Sequence, residues 1–131
     1  PLSSGNVGGI FSRGRLTLAG MRLSNNRGTA LFNQGGIVSL EETAVASNTA
    51  GGVINQGGTL GVRQSFIGSN GAEGILNQSG RVTIANSTLA QNNGGVYNQA
   101  GDLSIYNSTI SENRDYGVFS FTSGPVPRAS G

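Results

Sequence analysis

The chain has 131 residues, 23 of them glycine, with 35% hydrophobic, 6% aromatic and 11% charged residues and a net charge of +2. Cysteine is missing, which excludes disulfides and thiolate metal sites, and with lysine and histidine also missing the eight arginines are its side-chain cations. So small and scattered a charge gives no ground for a nucleic-acid partner, no apolar run is long enough to span a membrane, and no stretch reads as a signal peptide.

Taken in chain order, the sequence repeats itself. An apolar residue ahead of a polar pair recurs at Phe11, Phe32, Ile54, Leu76, Tyr97 and Phe119. The asparagine of an Asn-Gln pair follows at Asn33, Asn55, Asn77 and Asn98, and a second asparagine falls at Asn26, Asn48, Asn70, Asn92 and Asn113. Independent columns share steps of 21 or 22 residues, so chance agreement is excluded and a solenoid is indicated. Low charge with much glycine, serine and asparagine would otherwise suggest disorder, but disordered chains lack a periodic apolar pattern.

Within each unit the pattern predicts three short strands. The first is the segment ending in the Asn-Gln asparagine. The second is an alternating pair, Leu16/Leu18, Val38/Leu40, Leu60/Val62, Val82/Ile84 and Leu103/Ile105. The third sets a mostly small residue before an apolar one, as in Met21/Leu23, Thr43/Val45, Ser65/Ile67, Ser87/Leu89 and Ser108/Ile110. Alternation of period two marks strands, and no helical stripe competes with it. Glycine and asparagine are expected at the corners, where positive φ is needed. The predicted architecture is all-β: a right-handed parallel β-helix of about six coils, a single β-solenoid domain over residues 1–131 with uncapped ends. Equivalent residues then stack about 4.8 Å apart, and both asparagine columns are expected to form buried amide ladders.

The strings GGVYNQAGDLSIYNSTISEN (residues 94–113) and EGILNQSGRVTIANSTLAQN (residues 73–92) resemble the repeats of right-handed parallel β-helix proteins of the pectin-lyase-like superfamily, those of secreted bacterial surface and adhesin-like proteins above all. The resemblance covers nearly the whole chain. It implies the fold and an extracellular or cell-surface location, but not an activity, because this fold carries lyases, hydrolases, tailspikes and inert spacers alike.

The ends extend the pattern. Ser4-Gly5-Asn6 aligns with Ser111-Glu112-Asn113, and residues 123–130 align with residues 79–86, which sets Arg128 where Ile84 and Ile105 supply core. Joining the end of one copy to the start of another gives a closing step of 23 in the Phe11 column, close to the internal steps. With no amphipathic helix to cap either end, head-to-tail self-association is expected through Pro1, Leu2, Ser3, Ser4, Val126, Arg128 and Ala129. A start at Pro1 instead of methionine points to a processed product or a segment of a longer β-helix. Pro125, Pro127 and Arg128 count against the joint, since prolines weaken strand pairing.

The acids are Glu41, Glu42, Glu73, Asp102, Glu112 and Asp115. Hydrolases related to the resembled family need aspartates clustered on neighbouring coils, and related lyases need calcium carboxylates and a basic residue. Here Glu41 aligns with Arg63 and Arg81 with Asp102, a pattern suited to cross-coil ion pairs, so no enzyme, cofactor or metal site is expected. The glycine pairs meet no helix start, so a phosphate loop is excluded. Three glycosylation-type triplets begin at Asn77, Asn86 and Asn107, and the repeat itself accounts for them. Glu112, Arg114 and Asp115 form the densest charge group, a solvated turn or a place for a cation or sugar. The column of Phe11, Phe32, Ile54, Leu76, Tyr97 and Phe119 is expected to face outward, since its neighbours Ile10, Leu31, Val53, Ile75, Val96 and Val118 face in. Such a column suits lateral association or an aromatic platform for glycans. The expected function is a non-enzymatic structural subunit of an extracellular fibre, with a carbohydrate-binding or adhesin module as the alternative and a degraded relative of the polysaccharide lyases as a third reading.

Overall fold

A computed structural model describes residues 9–120 and the strand Arg128–Ser130. Its coils follow one another along the chain. The first holds β1 (Ile10–Ser12), β2 (Arg15–Ala19) and β3 (Arg22–Ser24), and the second β4 (Leu31–Gln34), β5 (Ile37–Glu41) and β6 (Ala44–Ala46). The third holds β7 (Val53–Arg63) and β8 (Phe66–Gly68), and the fourth β9 (Glu73–Ala85) and β10 (Thr88–Ala90). The fifth holds β11 (Gly94–Asn98), β12 (Asp102–Tyr106) and β13 (Thr109–Ser111), followed by β14 (Tyr116–Ser120) and β15 (Arg128–Ser130). Among the described residues there is no helix, and all strand pairs are parallel between successive coils.

The third strands form one sheet in the order β13-β10-β8-β6-β3, while the first and second strands belong to the other. The division into three strands per coil is not uniform. In the third and fourth coils the first and second strands run together as the single long strands β7 and β9. The third strands also begin one residue later than the sequence pattern suggests. Thr43, Ser65, Ser87 and Ser108 stand in the preceding corner, where their hydroxyls bond to backbone.

Inside the tube the aliphatic side chains stack by register. Leu31, Val53, Ile75 and Val96 make one buried column, Leu40, Val62, Ile84 and Ile105 a second, and Leu23, Val45, Ile67 and Leu89 a third. Burial of each such side chain is worth about 1.5–3 kcal/mol. The corner after the first strand closes on a glycine column. A Cβ on Gly58 would run into the Gly36 carbonyl and Asn33 Nδ2, and one on Gly36 would run into the Gly14 carbonyl. Only a residue without a side chain lets the rungs approach there.

One register differs from the sequence alignment. β15 pairs Arg128 with Ser104 and Ala129 with Ile105, so Ala129, not Arg128, lies level with the Ile84–Ile105 core column. The step from Ile105 to Ala129 is 24 residues where internal steps are 21 or 22, and the longer step shifts the pairing. Pro1, Leu2, Ser3, Ser4 and Val126 lie outside the described residues.

Candidate functional site: the ladders and the coil mouths

Each asparagine column is a chain of hydrogen bonds parallel to the tube axis. In the first, Asn26 Nδ2 donates to Asn48 Oδ1 at 2.9 Å, Asn48 to Asn70 at 2.9 Å, Asn70 to Asn92 at 2.9 Å and Asn92 to Asn113 at 3.3 Å. The backbone N–H of each donor residue also bonds to the same oxygen, at 2.9–3.1 Å. The second amide hydrogen of Asn48, Asn70 and Asn92 goes to the carbonyls of Leu23, Val45 and Ile67. The buried amides of Asn48, Asn70 and Asn92 are therefore satisfied by the rung on either side, which offsets their desolvation.

In the second column Asn33 donates to Asn55 at 2.8 Å, Asn55 to Asn77 at 2.9 Å and Asn77 to Asn98 at 2.7 Å. Ser120 Oγ accepts from Asn98 and ends it. The same amides bond the corner carbonyls of Gly36, Gly58, Gly80 and Gly101, each three residues on.

Two further ladders went unrecognised in the sequence. Gln34 donates to Gln56 at 3.1 Å and Gln56 to Gln78 at 2.9 Å, and Arg13 Nε caps the column by donating to Gln34 Oε1 at 3.0 Å. The constant glutamine after each asparagine was the available signal. The other is a hydroxyl column: the N–H groups of Thr43, Ser65 and Ser87 donate to the hydroxyls of Ser65, Ser87 and Ser108, all at 3.1 Å. The hydroxyls donate in turn to the carbonyl two residues back, Thr43 to Glu41, Ser65 to Arg63, Ser87 to Ala85 and Ser108 to Tyr106.

The backbone ahead of both inward-turned columns is left-handed. Asn25, Ser47, Ser69, Gln91 and Glu112 precede the ladder asparagines with φ between 54° and 60°. Glu42, Gln64, Asn86 and Asn107 precede the hydroxyls with φ between 46° and 51°. Glutamate, glutamine and serine thus take corners expected to hold glycine or asparagine. A left-handed residue turns the chain so that the next side chain points into the tube, and the hydrogen bonds that side chain makes offset the cost of about 1–2 kcal/mol per turn.

The column of Phe11, Phe32, Ile54, Leu76, Tyr97 and Phe119 is in unbroken register across six strands. Its middle is half-buried by mutual stacking, while Phe11 is 59% and Phe119 43% exposed. Phe11 and Phe32 stack with centroids 5.4 Å apart, and the Arg13 guanidinium lies 5.5 Å from the Phe11 ring. At the other end Tyr97, Tyr116 and Phe119 make a cluster with centroid spacings of 5.2–6.2 Å. Of the inward neighbours, Ile10 is half-buried and Val118 is 43% exposed, because each lies on the outermost first strand.

The charged residues do not converge. Arg81 and Asp102 form an exposed pair at 3.7 Å, worth at most about 1 kcal/mol. Glu41 and Arg63 share a register, yet among the described residues no ion pair joins them, which corrects the expected cross-coil pair. No group of three or more His, Asp or Glu among the described residues could hold a metal ion. Asp115 Oδ2 accepts from Asn93 Nδ2 at 3.1 Å, and Glu112 and Arg114 border a groove of about 570 Å³ that runs along the corner past Thr49, Gly71 and Asn93. Of the three glycosylation-type triplets, the one at Asn77 is fully buried in its ladder, while Asn86 and Asn107 are exposed. No described helix is long and apolar enough to cross a membrane.

At the tube's two mouths the strands have one partner each. Among the described residues β1, β2 and β3 pair with β4, β5 and β6, while β13, β14 and β15 pair with β10, β11 and β12. A family model described as a right-handed β-helix region matches residues 8–129. Comparison with curated proteins found no match, and comparison with solved structures found none.

Proposed function

Since the chain belongs to the right-handed β-helix region family, we propose that it is a non-enzymatic structural β-solenoid of an extracellular or cell-surface fibre, its coils stacking head to tail on those of another copy. The observation that carries this reading is that at each mouth the outermost strands are, among the described residues, paired on one side only, so that a further coil would continue the backbone ladders. Such a contact joins unlike surfaces and extends into a filament when the rotation does not close a ring. Charge favours the polarity: the first coil carries Arg13, Arg15, Arg22 and Arg27 and no acid, while the far end carries Asp102, Glu112 and Asp115 against Arg114 and Arg128.

Negative-stain microscopy of the purified chain at rising concentration tests this. Fibres one solenoid wide, shortened by salt and abolished by replacing Arg13, Arg15, Arg22 and Arg27 with glutamate, are expected. Single solenoids at every concentration would overturn the reading.

The aromatic cluster of the half-buried Tyr97 and Tyr116 with the exposed Phe119 favours a second reading, a glycan-binding or adhesin module. Replacing Tyr97 and Phe119 with serine would then abolish binding to a glycan array, and would leave stacking intact if the first reading holds.

A further inference from the structure

The aromatic cluster at the far end of the first-strand face has a carboxylate built into it. β14 pairs with β11 and β11 with β9, so Glu73, Gly94 and Tyr116 lie level with one another on three successive rungs. The Tyr116 ring fills the space that a Gly94 side chain would take, since a Cβ there would run into the ring and its hydroxyl. The ring thus lies across β11, and its hydroxyl donates to Glu73 Oε2 on the far side at 2.8 Å. Tyr97 and Phe119 meet it at 88° and 68°, with centroids 6.2 and 5.6 Å away. One ring laid across the strand and two set steeply to it make an aromatic corner, with the half-buried Glu73 at its edge. Tyr116 takes one oxygen of that carboxylate, and among the described residues Oε1 makes no hydrogen bond. Asp115 adds a second negative charge beside Tyr116, and among the described residues no arginine forms an ion pair with Glu73 or Asp115. Arg114 borders the groove of the preceding corner.

We propose that this corner binds a glycan built of amino sugars with free amines, a sugar ring stacking on the aromatic corner and its ammonium donating to Glu73 Oε1. This rests on the glycan-binding reading and narrows it to one class of sugar. The electron-rich faces of tyrosine and phenylalanine attract the C–H side of a sugar ring and, more strongly, a cation. A carboxylate also accepts from a neutral hydroxyl, but a hydrogen bond between opposite charges is about twice as strong. A sugar acid would instead bring a like charge up to Glu73 and Asp115. The chemistry of the corner therefore ranks its ligands, with ammonium-bearing sugars first, neutral sugars second and acidic sugars last.

The test is calorimetric titration of the full chain with oligomers of glucosamine, N-acetylglucosamine and galacturonate of equal length, at mildly acidic pH where amines are protonated and carboxylates ionised. At low salt the glucosamine oligomer is expected to bind roughly 5- to 20-fold more tightly than the acetylated one, and the galacturonate oligomer most weakly. Glu73→Gln keeps an acceptor for Tyr116 without the charge and is expected to erase the preference, leaving both amino-sugar oligomers at the affinity of the acetylated one. Glu41→Gln removes the same charge from β5, away from the cluster, and is expected to change the preference less than about twofold. An equal loss in the two variants would assign the preference to net charge and overturn the proposal. Equal affinities, or tighter binding of the acetylated or the galacturonate oligomer, would overturn it and leave the glycan-binding reading in place. Binding of none of the three would overturn it too, and the glycan array then decides whether the wider reading falls with it.

Discussion

Asn48 reaches Asn70 Oδ1 twice, through its side-chain Nδ2 at 2.9 Å and its own backbone N–H at 3.1 Å. Asn70 is thus both the acceptor for the rung before it and the donor to the rung after it, and to the Val45 carbonyl. A leucine at position 70 would fit a column of buried side chains by hydrophobicity, but it would strand two donors on Asn48 and take the amide donor away from Asn92 Oδ1, which keeps only the backbone N–H of residue 70, and from the Val45 carbonyl. Asn70→Leu is expected to destabilise by about 2–4 kcal/mol, measured by urea denaturation. The same change at the exposed Asn86 removes no ladder bond and is expected to cost less, about 1 kcal/mol, through the left-handed backbone that asparagine tolerates better than leucine.

The period of the asparagines made these ladders legible before any coordinates, because a side chain that recurs in register with itself in a parallel stack must meet its own copy. Other features were legible in type but not in role. Gln34, Gln56 and Gln78 share the period, yet nothing in a repeat distinguishes an outer ladder from a solvated row. Ser65 and Ser87 read as the small members of a strand, while their hydroxyls cap the corner carbonyls of Arg63 and Ala85. The register of Arg128 followed from giving the two coils after Ile84 44 residues together, and one further residue moved Ala129 into that place.

Gln64 marks where local preference gave the wrong expectation, for its φ of 50° is a conformation that glycine and asparagine tolerate best. The Ser65 side chain it turns inward accepts from the Thr43 N–H and donates to the Arg63 carbonyl. Relief of the left-handed strain makes Gln64→Gly neutral to stabilising, by up to about 1 kcal/mol. Gln64→Val, branched at the same backbone, is expected to destabilise by about 1–2 kcal/mol. Thermal melts of the two variants measured side by side check the opposite signs.

Two glycines on β7 separate close packing from backbone freedom. A Cβ on Gly58 meets the Gly36 carbonyl and Asn33 Nδ2, whereas a Cβ on Gly61 meets nothing within 4 Å. Gly58→Ala must push the rungs apart at a corner where Asn55 Nδ2 bonds the Gly58 carbonyl at 3.0 Å, so a loss of about 2–3 kcal/mol is expected. Gly61→Ala keeps its extended backbone and restricts the unfolded chain, so a gain of about 0.4–1 kcal/mol is expected. Equal effects in chemical denaturation would show that the corner can widen without cost.

Tyr116 gives the end of the tube a dependence on alkaline pH. Its hydroxyl donates to Glu73 Oε2 at 2.8 Å across two coils, and burial, followed by that hydrogen bond and the Glu73 charge, holds the phenol well above its usual range. Raising the folded value favours the neutral phenol, so the group's contribution to stability is fully present below the unfolded value near 10 and is lost as pH rises from there towards the folded value. Tyr116→Phe removes the hydrogen bond and this slope together. The variant is expected to be less stable than the parent below pH 10, by about 0.5–1.5 kcal/mol, with the gap closing at higher pH. Glu73→Gln keeps an acceptor without the charge. In a near-ultraviolet titration of the tyrosines it should lower the highest-titrating phenol but leave it above the unfolded value, because burial is the larger cause. A parent chain whose three tyrosines titrate together would show that the Tyr116–Glu73 contact does not persist in solution.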